Sequence, residues 1–213
     1  MSKPIQDLTS DQRAGLFNAL AMLSQVFWGP NPEACQEMLG REYQEDLESL
    51  APLLDDSGRE ALRAMTGFLR GFGRAEELFQ ALEPDYVRLF INAPGGVAAP
   101  LYHSCYDSQE GLLMGRPAIM MRRRLEEAGL DHESSLSEPP DHLAVELEYL
   151  TLYLDEAYLR SEKDMQCEAV QFAAQEMLPW VRQFSQRLAQ EPPADFYPAA
   201  ARLLVALLAA VAA

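Results

Sequence analysis

Apolar positions recur at helical spacing along most of the chain. Thr9 and Gln12 have the spacing of a capping box, and Leu16, Phe17, Leu20, Leu23 and Phe27 then mark one helical face until Gly29-Pro30 ends the pattern. Asn31-Pro32-Glu33 sets an N-cap residue, a first-turn proline and an acid in succession, which opens a short helix that Gly40 can close. A further helix follows Asp55-Asp56-Ser57, with Leu62, Met65 and Leu69 on one face and Gly71 or Gly73 as terminator. Glu83-Pro84 starts a short helical stretch holding Tyr86, Leu89 and Phe90.

Periodicity is then lost from Asn92 to Tyr106, where Pro94, Gly95, Gly96 and Pro100 make a long irregular loop ending in Tyr102, Ser104 and Tyr106. Loops of this length inside a domain are often functional. Helical character returns around Asp107 to Met114, is interrupted at Gly115-Arg116-Pro117, and continues from Ala118 to Ala128, with Gly129 as C-terminal cap. A second polar loop covers Asp131 to Pro140. Leu143, Leu147, Leu150 and Leu154 then give the clearest amphipathic stripe of the chain. Another helix runs from about Glu162 to Met177, Pro179 predicts a kink or break, and Trp180, Phe184 and Leu188 continue one stripe before Pro192-Pro193. No sustained β alternation and no internal repeat is present. The pattern predicts an all-α fold, a single helical bundle of about ten helices by usual helix and loop lengths.

Composition narrows the function. The 213 residues are 48% hydrophobic, enough for a substantial core, and 33 acids against 17 bases leave a formal charge of −16. That balance disfavours nucleic acid and anionic lipid and favours basic partners. Three widely spaced cysteines without a CxxC fit a reducing compartment better than a disulfide framework or a zinc site. Met1 to Ser10 lacks the apolar core of a signal peptide, so a cytoplasmic protein is expected. Phe196 to Ala213 is short for a membrane span and carries Arg202 in its middle, so a buried terminal helix is expected and stable membrane insertion is not.

Catalytic readings find little support. Gly95-Gly96 is followed by Val97, Ala98 and Ala99, with no lysine or hydroxyl to complete a phosphate-binding loop. His103, His132 and His142 have no metal-ligand spacing, and no cofactor is expected. Cys105 with His103 or His142 is the one conceivable thiolate pair, against a merely buried cysteine. Arg122-Arg123-Arg124 reads as a solvated helix face or as partners of Glu126 and Glu127.

More informative is Glu138-Pro139-Pro140-Asp141-His142, just before the leucine-striped helix. Its prolines fix the entry of the chain, so Asp141 and His142 sit on a rigid helix start. The plain alternative makes Asp141 a helix cap and leaves His142 on the surface. Asp131 to Glu168 holds eleven acids against only Arg160 and Lys163. Opposite charges 4 Å apart attract by roughly 4 kcal/mol at an effective dielectric near 20 and by about 1 kcal/mol in water, so only a shielded acidic groove would select a basic peptide.

These segments resemble the TorD/DmsD/NarJ family of redox-enzyme maturation chaperones, and most closely its TorD/DmsD branch. Asp85-Tyr86-Val87-Arg88-Leu89-Phe90 is similar to the family's acid-Tyr-x-x-Leu-Phe helix, and Pro100 to Tyr106 to its Pro…Tyr-x-Ser-x-Tyr segment. Glu138 to Leu143 with Glu146-Leu147 resembles its E-P-x-D-H-x-x-x-E-L signature, and Phe196-Tyr197 before an apolar helix also fits. The resemblance implies a cytoplasmic chaperone, without catalytic group or metal, for a molybdenum- or tungsten-cofactor oxidoreductase exported by the twin-arginine route. It would bind the client's signal peptide, its catalytic subunit, or both, as a monomer or a domain-swapped homodimer. The alternative is an assembly factor that binds only folded client. Implied peptide contacts or groove organisers are Asp141, His142, Glu138, Pro139 and Glu146, with Tyr86, Leu89, Phe90, Gly95, Tyr102, Ser104 and Tyr106 around the groove. On this reading Asp141→Ala weakens client maturation with little loss of stability.

Overall fold

The computed structural model describes residues 4–93, 95–107, 113–130, 138–191 and 195–213. After a short 3₁₀ turn, α1 (Ser10–Trp28) opens on the expected capping box: Gln12 N donates to Thr9 Oγ1 at 3.2 Å, and Thr9 N donates to Gln12 Oε1 at 3.1 Å. Asn31 caps α2 (Pro32–Met38) by accepting from Ala34 N at 2.8 Å. Gly40 does not close that helix. With φ −62° it is the N-cap of α3 (Arg41–Ser49), and Leu39 ends α2. Asp55 caps α4 (Asp56–Leu69), accepting from Gly58 N at 2.7 Å.

A helix not foreseen as such follows: α5 (Ala75–Tyr86) runs through Pro84 and passes directly into a π-helical stretch, Val87–Ile91. The expected restart at Glu83-Pro84 is therefore the last turn of an existing helix. The irregular loop leads to one turn, α6 (Ser104–Asp107), and residues 108–112 of the helix expected there lie outside the described residues. Next, α7 (Arg116–Glu127) takes Pro117 into its first turn, where no N–H is needed, so the expected interruption is a helix start. Gly129 follows at φ +69°, the left-handed cap expected of it. Most of the second polar loop, 131–137, is outside the described residues.

In α8 (Leu143–Leu159) the predicted stripe is fully buried: Leu143, Leu147, Leu150 and Leu154 are each 0% exposed. Such burial is worth roughly 1.5–3 kcal/mol per leucine. The chain then remains helical from α9 (Lys163–Gln171) through a π-helical stretch, Phe172–Met177, into α10 (Leu178–Leu188), correcting the break expected at Pro179. The π turn spaces its bonds one residue wider, and Pro179 falls in the first turn after it, where its missing N–H does no damage. Helix α11 (Phe196–Val211) is buried along most of its length, packing on α4 and α10 and leaving Arg202 outside. Among the described residues no helix is long and apolar enough to cross a membrane.

Helices α1 and α8 pack along each other on the other side of the bundle, and one apolar core runs from Ile5 to Val211. Trp180, Tyr197, Phe27 and Phe184 are its largest members. No strand occurs among the described residues. The one β-type pairing is a single antiparallel bridge between Tyr102 and His142, and it marks the site.

Candidate functional site

The long loop and the start of α8 meet through main-chain bonds. His103 N donates to Asp141 O at 3.0 Å, and Leu143 N donates to Leu101 O at 2.8 Å. Buried under this junction, the Asp141 carboxylate accepts from Ser104 N at 2.8 Å and from the Ser104 hydroxyl. Ser104 Oγ accepts in turn from Gly115 N at 3.0 Å, which ties in the start of α7. The other Asp141 oxygen is buried without a partner among the described residues. Asp141 is thus no helix cap. His142 takes that role, its Nδ1 accepting from Ala144 N at 3.2 Å, and it is 3% exposed rather than on the surface.

Neutral imidazole is what the His142 position demands, because a protonated Nδ1 has no lone pair for the Ala144 N–H. Burial agrees, pushing its pKa down to about 4 against the weaker upward pull of Glu138 and Asp141. The ring stacks on Trp28 with centroids 5.0 Å apart and meets the edge of Tyr102 at 5.3 Å.

Along the bridge, successive residues face opposite ways. On one side Tyr102 donates its hydroxyl to Glu138 at 2.6 Å, and the Trp28 indole N–H donates to Glu148 at 2.6 Å. Tyr86 joins this face, donating to Phe27 O at 3.1 Å, and its ring occupies the space above Gly29, where a Cβ would come within 2.9 Å. Trp28, Tyr86, Tyr102, Glu138 and Pro139 are all half-buried. Neither Glu138 nor Glu148 has an ion-pair partner among the described residues. Glu138 accepts only from Tyr102 among the described residues, while the same Glu148 oxygen also accepts from the Ser24 hydroxyl at 3.3 Å, and each carboxylate keeps acceptor sites free.

On the other side His103 stacks on Trp180 at 5.2 Å, and its Nδ1 lies 2.9 Å from Glu146 Oε1. Trp180 Nε1 donates to the second oxygen of Glu146 at 3.1 Å. Burial pushes the Glu146 carboxyl above the usual range, against the opposing pull of His103 and Trp180. For His103 burial works downward, yet the Glu146 hydrogen bond and charge, with Asp141 and Asp107, leave it raised overall. Beyond this pair opens a cleft of about 470 Å³ lined by His103, Tyr106, Asp107, Met120, Glu176 and Trp180 among others.

The sequence-derived residues therefore divide. Glu138, Pro139, Tyr86 and Tyr102 form an aromatic and acidic face, floored by His142. Asp141, Ser104 and Glu146 are buried beneath it, at 0%, 2% and 1% exposure. Leu89 and Phe90 are 0% and 4% exposed and belong to the core, as does most of Tyr106, whose hydroxyl donates to Pro100 O at 2.9 Å. Gly95, at φ +96°, shapes the exposed loop with no heavy atom near its Cβ position. Sequence reasoning missed Trp28, Glu148 and Trp180. An indole closing a helix just before Gly29-Pro30 was the available signal for the first.

Neither remaining catalytic option has a geometry. Burial, then Asp141, pushes the Cys105 thiol up, and both candidate histidines are committed elsewhere, to Glu146 and to the α8 start. No group of three metal-ligating side chains occurs among the described residues. Of the arginine run, Arg123 pairs with Glu127 at 2.7 Å as expected, while Arg124 reaches across to Glu176.

Residues 51–186 match the protein-family model described as nitrate reductase delta subunit. The chain belongs to that family. It is 30% identical over 193 residues to the chaperone protein TorD of Vibrio vulnificus strain YJ016, covering 86% of this chain and 89% of the relative. It is 36% identical over 131 residues to the chaperone protein TorD of Vibrio cholerae serotype O1 strain ATCC 39541, covering 60% and 59%. The fold is shared with a protein of Archaeoglobus fulgidus described as a redox enzyme maturation protein, at TM-score 0.53 and 22% identity over 87% of this chain and 89% of the other. The resemblance read from Asp85 to Leu147 is borne out, and with it the all-α bundle. Within this family the chain is a chaperone and not an enzyme.

Proposed function

We propose that this chaperone serves a molybdenum- or tungsten-cofactor oxidoreductase, and that it captures the client's twin-arginine leader in the cytoplasm until the cofactor is in place. The observation that carries the reading is a pair of carboxylates without ion-pair partners among the described residues, Glu138 and Glu148, each held by an aromatic donor on a half-buried face of Trp28, Tyr86 and Tyr102. A guanidinium fits this chemistry, since it donates in a planar fork to carboxylates and stacks on aromatic rings. The apolar part of the leader would lie beside it, along the exposed Val87 and Ile91, which are 42% and 57% exposed. Asp141, Ser104 and Glu146 support that face from below and would touch no peptide.

Calorimetric titration with a synthetic leader tests this. The leader should bind, lose at least tenfold in affinity when its paired arginines become glutamine, and lose a similar factor against Glu138→Gln. Equal affinity for both leaders overturns the arginine reading. The second reading, an assembly factor for folded client alone, is favoured by Ile119 and Met120, 68% and 38% exposed beside the His103 cleft. That reading holds if the leader fails to bind while the folded catalytic subunit does.

A further inference from the structure

A separate cleft lies between α1, α2 and α3, of which only α1 meets the leader face, through Trp28, the Phe27 carbonyl and the Ser24 hydroxyl that donates to Glu148. It has two adjoining lobes of about 470 and 220 Å³, which share Ala21, Met22, Glu37 and Tyr43. Met22 and Met38 supply flexible apolar walls, the kind of surface that adapts to different side chains. Three exposed acids rim it, Glu37, Glu42 and Asp46, and none is ion-paired among the described residues. The cation nearest in sequence, Arg41, is already engaged with Glu45 at 3.3 Å.

A second observation is independent of that charge. The hydroxyl of Tyr43, one of the residues common to both lobes, is shut off from water and has no hydrogen-bond partner among the described residues. Buried polar groups are nearly always paired, and each exception calls for an account. Burial, and then Glu37, keep this phenol protonated well above the usual tyrosine range, so it offers both a proton and lone pairs. A donor inserted between Tyr43 and Glu37 would satisfy the orphaned oxygen and the carboxylate together.

We infer that the α1–α2–α3 cleft docks a basic, apolar helical segment of a protein partner, with a lysine or arginine inserted between Tyr43 and the Glu37, Glu42 and Asp46 carboxylates. This surface is distinct from the leader face and does not depend on it. Lysine has the right form for the cleft, because its methylenes can lie along Met22 and Met38 while the ammonium reaches the carboxylates.

The probe is a synthetic helical peptide with leucines on one face and lysines on the other, titrated into the full chain with NMR detection. Its shifts should map to α1–α3. Glu37→Gln with Glu42→Gln and Asp46→Asn should weaken binding tenfold or more and flatten its salt dependence. The control Glu60→Gln with Asp155→Asn and Asp164→Asn removes the same charge from exposed positions on α4, α8 and α9 and should leave affinity within twofold. Tyr43→Phe, which keeps the ring, should weaken binding several-fold without loss of the folded spectrum. The inference is overturned if the two triple variants weaken binding equally, or if the shifts map elsewhere. A twin-arginine leader that fails to bind either variant contradicts the leader reading and leaves this one standing.

Discussion

Replacing Asp141 by alanine removes the acceptor of both Ser104 donors and leaves a buried main-chain N–H without a partner. The expectation of little stability loss therefore does not survive the burial of this side chain. The cost should be about 2–3 kcal/mol in chemical denaturation, with Asp141→Asn retaining much of the stability because its amide oxygen still accepts. Equal stability of wild type and Asp141→Ala would show that the junction is not held this way. His142 shapes the acid side of the pH dependence. Between pH 6.5 and about 4 the unfolded chain takes up a proton there that the folded chain refuses, so stability falls as pH drops through that window, by roughly 3 kcal/mol in all. His142→Asn can still cap the helix and cannot titrate, so its denaturation free energy should decline less over the same range. His103 acts in the opposite sense: raised in the fold, it contributes fully below pH 6.5 and loses its contribution as pH climbs through its folded value. His103→Gln should flatten that upper limb, and parallel pH slopes for variant and wild type would contradict the assignment. The sequence marks Asp141 and His142 as special but cannot tell which one caps. That depends on Ser104, thirty-seven positions away, reaching Asp141 first.

Helices with local signals were legible: the capping box at Thr9, the Asn31 cap, the helix that follows Asp55-Asp56-Ser57 and the leucine stripe of α8 all stand where their side chains place them. Those interrupted by proline were not. Pro84 lies within α5, and Pro179 follows a π turn, so in both regions tertiary packing holds a helix that local rules would end. Helix α4 offers a matched test of packing against propensity. A Cβ on Gly58 would meet Ala206 Cβ of α11 at 2.7 Å, whereas nothing lies within 4 Å of one on Gly67. Gly58→Val should therefore lower stability by about 1–3 kcal/mol through overpacking, while Gly67→Ala should raise it by roughly 0.5–1 kcal/mol. Thermal melting would read both, and a Gly58→Val variant that melts no lower than wild type would mean that α4 and α11 are not in this contact.

At the scale of the molecule, the charge of −16 brings basic partners to a surface whose acids are sorted into places. Most are solvated or paired with arginines, as at Arg70 with Glu48 and Arg160 with Glu156. Such exposed pairs contribute little to stability. Glu138 and Glu148 differ because aromatic donors hold them at the edge of the core. The bundle and its helix count were readable from periodicity and resemblance. The division of the signature into buried supports and an outer face was not, because it follows from which way each residue of the 102–142 bridge points. Association with an arginine-bearing leader should slow as ionic strength rises, since the long-range part of the attraction is screened beyond about 10 Å at 0.1 M salt. Where that leader sits is best read by amide hydrogen exchange of the full chain with and without it. New protection concentrated at 28–30, 87–93 and 138–142 is the expected result. Unchanged exchange at all three segments, with a leader shown to be bound, would contradict capture on the aromatic face.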